Sequence, residues 1–344
     1  MDEHGYRILT DADVRPLAND VDDFALEVLL GLSERPKRLT SRYFYDDAGS
    51  EYFQRIMELD AYYLTRCETE ILNDRAAEIV GRFEGKAINL VDLGAGDGKK
   101  TLILLRQLEA MGIDAQFVPI DISEGAMQAL IEGVRASGVT IPVRGLVGDY
   151  ATGLRWLSAE YQDRSSLVLF LGSNIGNFNR PQARAFLRRL WSHLRPDDSM
   201  LIGFDLKKDI EVLLSAYNDP EGVTAAFNKN LLTRINRELG GNFDVDAFRH
   251  YGTYDVHSGA MTSYLVSLER QSVYIEALEH TFEFAAWEPV HTEYSYKYLP
   301  TDIEALAVDT GFAPEAQYFD RDHYFTDCLW RVKAQHTVPR VVAR

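Results

Sequence analysis

The amino-acid sequence predicts an α/β fold, in which a parallel sheet is covered by helices on both faces. Short apolar runs alternate with segments of helical spacing: INLVDLG (88–94), AQFVPIDIS (115–123), VRGLVGDY (143–150), SLVLFLGSNIGNF (166–178) and SMLIGFDL (199–206). Alternation at this spacing is typical of a parallel sheet buried on both sides. After Asp209 the alternation stops, and residues 251–296 have the pattern of consecutive strands. The sequence therefore predicts an α+β insertion before a last helix and strand.

The predicted helices follow from apolar spacing and from end signals. Residues 22–35 and 68–80 have helical spacing, and 210–250 is mostly helical around a polar GGNFDVDAF turn. The helix at 102–112 ends at a glycine, and the helix at 181–194 has a proline near its start. A last helix at 301–312 and a closing strand at 323–333 complete the predicted order.

Composition excludes several classes of partner. The chain has 36 Lys+Arg and 53 Asp+Glu, a net charge of −17, which disfavours nucleic acid and anionic membranes. Two cysteines, Cys67 and Cys328, exclude a disulfide scaffold and a Cys-rich zinc site, and no His/Asp/Glu cluster has metal-ligand spacing. The polar N-terminus does not resemble a secretory signal, and no apolar run has membrane-spanning length. We expect a cytoplasmic, monomeric protein without a metal.

A glycine-rich loop follows the first predicted strand in LVDLGAGDGKKT (90–101). Its spacing is Gly94-x-Gly96-x-Gly98. The dinucleotide-binding fingerprint would need a third glycine at position 99, where the chain has Lys99, and the Walker A spacing fails as well. An acidic residue followed by G-x-G-x-G resembles the S-adenosylmethionine (SAM)-dependent methyltransferases of the Rossmann-like class. A glycine-rich turn without a ligand is the alternative reading of the motif alone.

Acidic residues at the ends of the next two strands favour a ligand. Asp121 ends the second strand, where a carboxylate can accept hydrogen bonds from ribose hydroxyls. Asp149 and Tyr150 end the third predicted strand, where a carboxylate beside a ring suits an adenine. Each aspartate alone would more often be a helix cap. Together they predict a crevice at the carboxyl edge of the sheet.

Four further stretches carry a more specific resemblance. They are RYFYDDAGSEYFQRIMELDAYYLTRCE (42–68), LFLGSNIGNF (169–178), AYNDPEGVTAAFNKN (216–230) and TEYSYKY (292–298). With the glycine loop, they resemble the bacterial L-histidine Nα-methyltransferase family of ergothioneine biosynthesis, in order from about residue 35 onward. The resemblance implies a class I methyltransferase sheet with a smaller α+β substrate-binding domain. We expect residues 66–208 and 297–344 to bind SAM, and residues 15–65 and 209–296 to bind the substrate.

The resemblance also implies roles for individual residues. The implied cofactor-binding residues are Tyr45, Gly94, Lys100, Asp121, Asp149, Tyr150 and Gly172. Phe53 belongs with Tyr45 to the aromatic cover over the reacting centre. The implied substrate-binding residues are Tyr62, Asn177, Tyr217, Glu293 and Ser295. In this scheme Asn177 and Tyr217 hold the substrate carboxylate, Glu293 and Ser295 bond the imidazole, and Tyr62 closes over the amino acid.

The implied imidazole pair is physically reasonable. Glu293 and Ser295 are two residues apart on a predicted strand, so their side chains face the same way. A carboxylate and a hydroxyl can satisfy the two ring nitrogens of histidine. The family pattern has a methionine thirty residues before the glutamate, where this chain has Ser263, with Met261 two residues earlier. A one-step bulge would restore the methionine; otherwise the pocket wall differs.

The function implied by the resemblance is methylation of the α-amino group of L-histidine, in three rounds that give hercynine. Two alternatives stay open: an α-N-methyltransferase for another amino acid such as tryptophan or tyrosine, and a SAM-binding regulatory protein without turnover. A dinucleotide-dependent oxidoreductase is disfavoured by Lys99.

Overall fold

The computed structural model describes residues 6–8, 20–161 and 163–333. Its helices are α1 (Asp20–Ser33), α2 (Asp47–Glu58), α3 (Tyr63–Gly81), α4 (Lys99–Ala110), α5 (Glu124–Ala136), α6 (Tyr150–Glu160), α7 (Arg180–Trp191), α8 (Ile210–Tyr217), α9 (Val223–Leu239) and α10 (Pro300–Thr310). Its strands are β1 (Tyr6–Ile8), β2 (Ile88–Leu93), β3 (Ala115–Asp121), β4 (Gly145–Val147), β5 (Ser165–Phe170), β6 (Ser199–Asp205), β7 (Phe248–Asp255), β8 (Ala260–Ser267), β9 (Gln271–Ile275), β10 (His280–Phe284), β11 (Pro289–Tyr296), β12 (Phe312–Phe319) and β13 (Phe325–Val332).

Within these ranges the largest sheet has eight strands, in the order β1-β4-β3-β2-β5-β6-β13-β12. The first six run parallel, whereas β13 is antiparallel to β6 and β12 is antiparallel to β13. The predicted α/β class and the parallel core of the sheet are confirmed. The reversed edge was not predicted, because β12 contains a proline and only its Phe312 and Tyr318 side chains are buried.

Successive side chains of the central strands enter two different cores. Leu90 of β2 packs with α3 and α4 on one face, whereas Val91 packs with α7 and α10 on the other. Because both faces are covered, β2 is buried along its whole length. A continuous apolar run is the expected sequence for such a strand.

The predicted insertion contains two small sheets with a core of their own. One has the order β11-β8-β7, and the other pairs β10 with β9. Phe227 and Leu231 of α9 pack there with Phe248 and Leu265, and α1 covers the same cluster through Phe24. Strand β7 and helix α2 were absent from the predicted elements, although the aromatic spacing of 43–63 is compatible with a helical cover.

One predicted boundary is wrong in a way that affects the site. The third strand was expected to run to Tyr150, but β4 ends at Val147. Asp149 is instead the N-cap of α6, and Tyr150 is the first residue of that helix. No helix among the described residues is long and apolar enough to cross a membrane.

Candidate active site

The glycine loop lies between β2 and α4 in a conformation that requires glycine. Gly94, Gly96 and Gly98 have φ angles of 77°, 56° and 71°, in the left-handed region. A Cβ on Gly94 would lie 2.6 Å from the Tyr150 hydroxyl, and one on Gly98 would lie 2.4 Å from Leu130 Cδ1. A Cβ on Gly96 would meet nothing within 4 Å, so the middle of the loop faces open space. This cradle fits the predicted close approach of a cofactor.

The predicted acids follow the same edge of the sheet, but each also has a local partner. Asp121 accepts a hydrogen bond from the Ser123 amide at 2.9 Å. Asp149 accepts from the amides of Ala151 and Thr152 and from the Thr152 hydroxyl. The structure therefore gives Asp149 the helix-capping role that was the competing interpretation. Capping uses three acceptor positions of this carboxylate, two on Oδ1 and one on Oδ2, and the Tyr150 hydroxyl lies against Gly94.

Lys100 has a buried partner that the sequence did not indicate. Its Nζ lies 2.5 Å from Glu68 Oε2, and the Glu68 carboxylate also accepts the Gly172 amide at 2.7 and 2.9 Å. Glu68 is fully buried. One carboxylate on α3 thus joins the helix after the glycine loop to the turn after β5, and both carry predicted cofactor-binding residues.

Asp92 precedes the loop and is buried in β2, where it accepts a hydrogen bond from the Thr101 hydroxyl. Burial raises the pKa of Asp92 to about 7. Since the unfolded carboxyl releases its proton near pH 4, the folded state binds more protons between about pH 4 and 7. The contribution of Asp92 to stability is therefore present at low pH and is lost as pH rises through 7.

We accordingly expect Asp92→Asn to stabilise the protein at pH 8 relative to wild type by about 2 kcal/mol, with no comparable gain at pH 5. Thermal unfolding of both proteins at the two pH values measures this difference. Asp163→Asn, at an exposed position, is the matched control and should show no pH-dependent difference. A pH-independent effect of Asp92→Asn would contradict the assignment.

A pocket lies next to the loop and brings together eight of the predicted residues. They are Tyr45, Phe53, Tyr62, Gly172, Asn177, Tyr217, Glu293 and Ser295. The remaining lining residues are Ile56, Leu64, Ser173, Asn174, Ala216, Thr224 and Phe227. Lysine, arginine and histidine are absent from this lining, as far as the described residues form it. Gly94, Lys100, Asp121, Asp149 and Tyr150 lie outside the lining, on the side of the glycine loop.

Aromatic rings form one wall of the pocket. The Tyr45 and Phe53 rings are 5.4 Å apart and each contacts Phe227, at 5.6 and 5.8 Å. Phe53 contacts Tyr62 at 6.3 Å, and Tyr62 contacts Tyr217 at 6.5 Å. These rings come from distant parts of the chain, and Phe227 was not among the predicted site residues.

A second wall carries Glu293 and Ser295 on one face of β11, as predicted. Among the described residues, no side chain donates a hydrogen bond to the Glu293 carboxylate. Burial raises its pKa to about 7, although the nearby Lys297 ammonium opposes this shift. The Ser295 hydroxyl is 2.7 Å from the Tyr217 hydroxyl. Tyr217 was expected at the carboxylate end of the substrate, but its hydroxyl lies beside Ser295.

The register of β8 against β11 settles the position of Ser263. Ser263 pairs directly with Glu293, and Met261 pairs with Ser295. The bulge lies in β11, between His291 and Glu293, and leaves β8 regular. Ser263 is therefore the residue opposite Glu293, and no bulge in β8 brings Met261 to that position.

Three buried polar residues beneath the pocket were missed: Lys297, Asp205 and Lys208. Lys297 Nζ and Asp205 Oδ2 are 2.7 Å apart, and both side chains are fully buried. Burial would raise the pKa of Asp205, but the ammonium groups of Lys297 and Lys208 outweigh it and hold that pKa below its ordinary value. Lys297 lies within the TEYSYKY block, yet no signal in that block indicated a partner on β6.

Across the described residues, no three His, Cys, Asp or Glu side chains are grouped so that they could hold a metal ion. The site thus consists of a left-handed glycine cradle and an adjoining pocket with one aromatic wall and one polar wall. Such a site suits an organic cofactor beside a small polar molecule.

The fold and the site are those of a SAM-dependent methyltransferase, and comparison with known proteins agrees. The model of the family "Histidine-specific methyltransferase, SAM-dependent" matches residues 24–332. The chain belongs to this family.

Individual relatives cover most of the chain. It is 38% identical over 297 residues to the histidine N-alpha-methyltransferase of Mycobacterium tuberculosis (strain CDC 1551 / Oshkosh), covering 86% of this chain and 91% of that protein. It is 36% identical over 301 residues to the histidine N-alpha-methyltransferase of Mycolicibacterium smegmatis, covering 88% and 90%. A 4-dimethylallyltryptophan N-methyltransferase of Claviceps purpurea is 30% identical over 217 residues, 62% of this chain and 61% of that protein.

Proposed function

We propose that the enzyme transfers methyl groups from SAM to the α-amino nitrogen of L-histidine, in three rounds that give hercynine for ergothioneine biosynthesis. The observation that carries the proposal is the polar wall of the pocket. Glu293 lacks a hydrogen-bond donor among the described residues, and Ser295 lies beside it on the same strand face. An imidazole would supply the missing donor, whereas an apolar side chain would leave the carboxylate unpaired at a cost of about 1–3 kcal/mol.

SAM, when bound, supplies an activated methyl group, so the protein's task is to orient the acceptor and exclude water. The residues that would hold it are Gly94, Lys100, Asp121, Tyr150 and Gly172, which border the cradle. Asp149 would act there mainly by capping α6. The fit is supported by the open space above Gly96 and by the buried Glu68 link between Lys100 and Gly172.

The acceptor amino acid would lie in the pocket with its amine toward Tyr45 and Phe53. Asn177 and Tyr62 are neutral groups, which suits a zwitterion whose carboxylate needs hydrogen bonds more than a counter-ion. Burial raises the pKa of Tyr217 well above its ordinary value, so its phenol stays neutral, and its hydrogen is donated to Ser295 Oγ. No lysine or arginine among the described lining residues opposes a growing positive charge, and aromatic faces attract methylated ammonium groups.

We also propose the domain division stated from the sequence, with residues 66–208 and 297–344 binding the cofactor and residues 15–65 and 209–296 binding the acceptor. The separate core of α1, α9 and the two small sheets supports it. Residues 15–19 and 334–344 lie outside the described part of the chain. A monomeric, cytoplasmic enzyme is part of the same proposal, and two free, buried cysteines are compatible with it.

The decisive experiment offers SAM with each of the twenty amino acids separately and follows the addition of one, two and three methyl groups by mass spectrometry. We expect histidine to be preferred over phenylalanine by on the order of 100-fold or more in kcat/KM. Nα,Nα-dimethylhistidine as the starting acceptor tests the third transfer by itself.

The outcomes separate the alternatives. Methylation of tryptophan or tyrosine with unmodified histidine would overturn the acceptor assignment, a result that Ser263, the cross-strand neighbour of Glu293, would then explain. Accumulation of a monomethyl product, with dimethylhistidine unreactive, would overturn only the three-round part. SAM binding without turnover on any amino acid would favour the regulatory alternative.

A further inference from the structure

A buried lysine outside the pocket lining contacts two residues of that lining. Lys297 Nζ lies 2.8 Å from the Tyr217 hydroxyl, 2.8 Å from Ser295 Oγ and 2.7 Å from Asp205 Oδ2. These three acceptors use the three hydrogens of an ammonium group. Since the lysine side chain is fully buried, water does not compete for them.

These contacts restrict how the Ser295 hydroxyl can bond. Its oxygen accepts from Lys297 and also from the Tyr217 hydroxyl at 2.7 Å. A hydroxyl oxygen has two acceptor positions, and both are then occupied. The hydrogen of Ser295 is left to point toward the pocket, so Ser295 offers a ligand a donor and no acceptor.

The lysine is itself held in place from the other side. Asp205, at the end of β6, also accepts hydrogen bonds from the Tyr63 hydroxyl at 2.8 Å and from Lys208. Lys208 donates hydrogen bonds to Tyr63, Asp205 and the Leu206 carbonyl, and within the described residues no hydrogen bond joins it to Ser295 or Tyr217. Two lysines therefore share one buried carboxylate, and of these two Lys297 is the one that reaches the polar wall.

We propose that Lys297 is a positioning residue that fixes Ser295 as a hydrogen-bond donor and thereby selects a ring with one acceptor nitrogen facing Ser295 and one N–H facing Glu293. The inference rests on the proposed function, because it assigns the order of donor and acceptor within the same acceptor site. A neutral imidazole matches this order, whereas a ring without nitrogen matches neither position.

The test compares histidine with β-(2-thienyl)alanine, a five-membered ring of similar size that lacks both nitrogens. Lys297→Met is expected to lower kcat/KM for histidine about 30-fold, mainly through KM, because a charge-assisted hydrogen-bond network is lost. Activity on thienylalanine should change less than about threefold, since that ring does not use the polar wall. Lys208→Met is the matched control, and it should affect both substrates equally.

A second comparison separates positioning from general structural support. If Lys297 acts through Ser295, adding Lys297→Met to Ser295→Ala should cause no further loss in the histidine-to-thienylalanine ratio. Full additivity in the double variant, or an equal loss on both substrates in Lys297→Met alone, would overturn the inference. Lys297→Met leaves the Asp205 carboxylate with one lysine fewer, and the single variant can fail to fold for that reason. In that case the double variant Lys297→Met/Asp205→Asn, which removes both charges of the ion pair, is used for the same comparison.

Wild-type enzyme serves as the reference for both conclusions. If wild type is active on histidine and the folded Lys297 variants keep the wild-type histidine-to-thienylalanine ratio, the inference is overturned and the proposed function stands. Wild type inactive on histidine would overturn the proposed function, and this inference with it.

Discussion

Replacing Glu293 by alanine is expected to lower kcat/KM for L-histidine by about 100-fold, which corresponds to losing a charge-assisted hydrogen bond of about 1.5–3 kcal/mol. The carboxylate is the one acidic group among the described residues that line the pocket, and none of their side chains donates to it. Activity on tryptophan should stay within a few-fold or rise, because the half-buried carboxylate no longer opposes an apolar ring. Initial rates with both amino acids measure the change.

Glu304→Ala provides the control, since Glu304 is exposed on α10, away from the pocket. It should leave the histidine-to-tryptophan ratio unchanged. If Glu293→Ala kept that ratio as well, the carboxylate would have no part in recognising the acceptor.

The second large effect is expected at the glycine loop, where Gly94→Ala should weaken SAM binding by at least tenfold. The left-handed φ costs a non-glycine residue about 1–2 kcal/mol, and the new Cβ would lie 2.6 Å from the Tyr150 hydroxyl. Either the loop or the Tyr150 side chain must move, and both border the cradle. Titration calorimetry with SAM measures the loss.

Two further variants isolate the cause of that loss. Gly138 has a φ of 80°, and a Cβ added there would meet nothing within 4 Å, so Gly138→Ala carries the backbone strain alone. It should lower the melting temperature and leave SAM affinity intact. Adding Tyr150→Phe to Gly94→Ala removes the clashing oxygen and should restore part of the affinity. Wild-type affinity in Gly94→Ala would show that the cofactor does not use this cradle.

Much of the fold was predictable because it follows from local sequence patterns, namely apolar runs and helix-end signals. The strands from β2 to β6 are continuous apolar runs, and α4 and α7 have clear end signals, so their order implied a parallel sheet. Helix α6 was missed because Asp149 and Tyr150 directly follow an apolar run and resemble the polar end of a strand. The antiparallel edge depends on β13 pairing with β6, a segment far away in the chain, which periodicity does not report.

The candidate site likewise has a part that local sequence patterns predict and a part that depends on long-range contacts. The glycine cradle and the Glu293–Ser295 face follow from spacing of a few residues, and the structure places both as expected. Glu68, Asp205 and Lys297 escaped notice because their partners lie on other elements: Glu68 contacts Gly172, and Lys297 contacts Asp205 across two sheets. Such pairs depend on which strand ends lie next to each other in the fold. The sequence around one charged residue does not show which distant residue it will contact.

The end of β6 and the segment after β11 are joined by main-chain hydrogen bonds as well as by the Lys297–Asp205 ion pair. The Tyr298 amide donates to the Asp205 carbonyl at 3.0 Å, and the Lys207 amide donates to the Tyr298 carbonyl at 2.9 Å. Main-chain bonds thus join the sheet that contains β11 to the eight-stranded sheet, three residues beyond Ser295. These hydrogen bonds use main-chain atoms alone, so they do not depend on which side chains the residues carry. We therefore expect the two sheets to keep their spacing when side chains in the pocket walls are substituted.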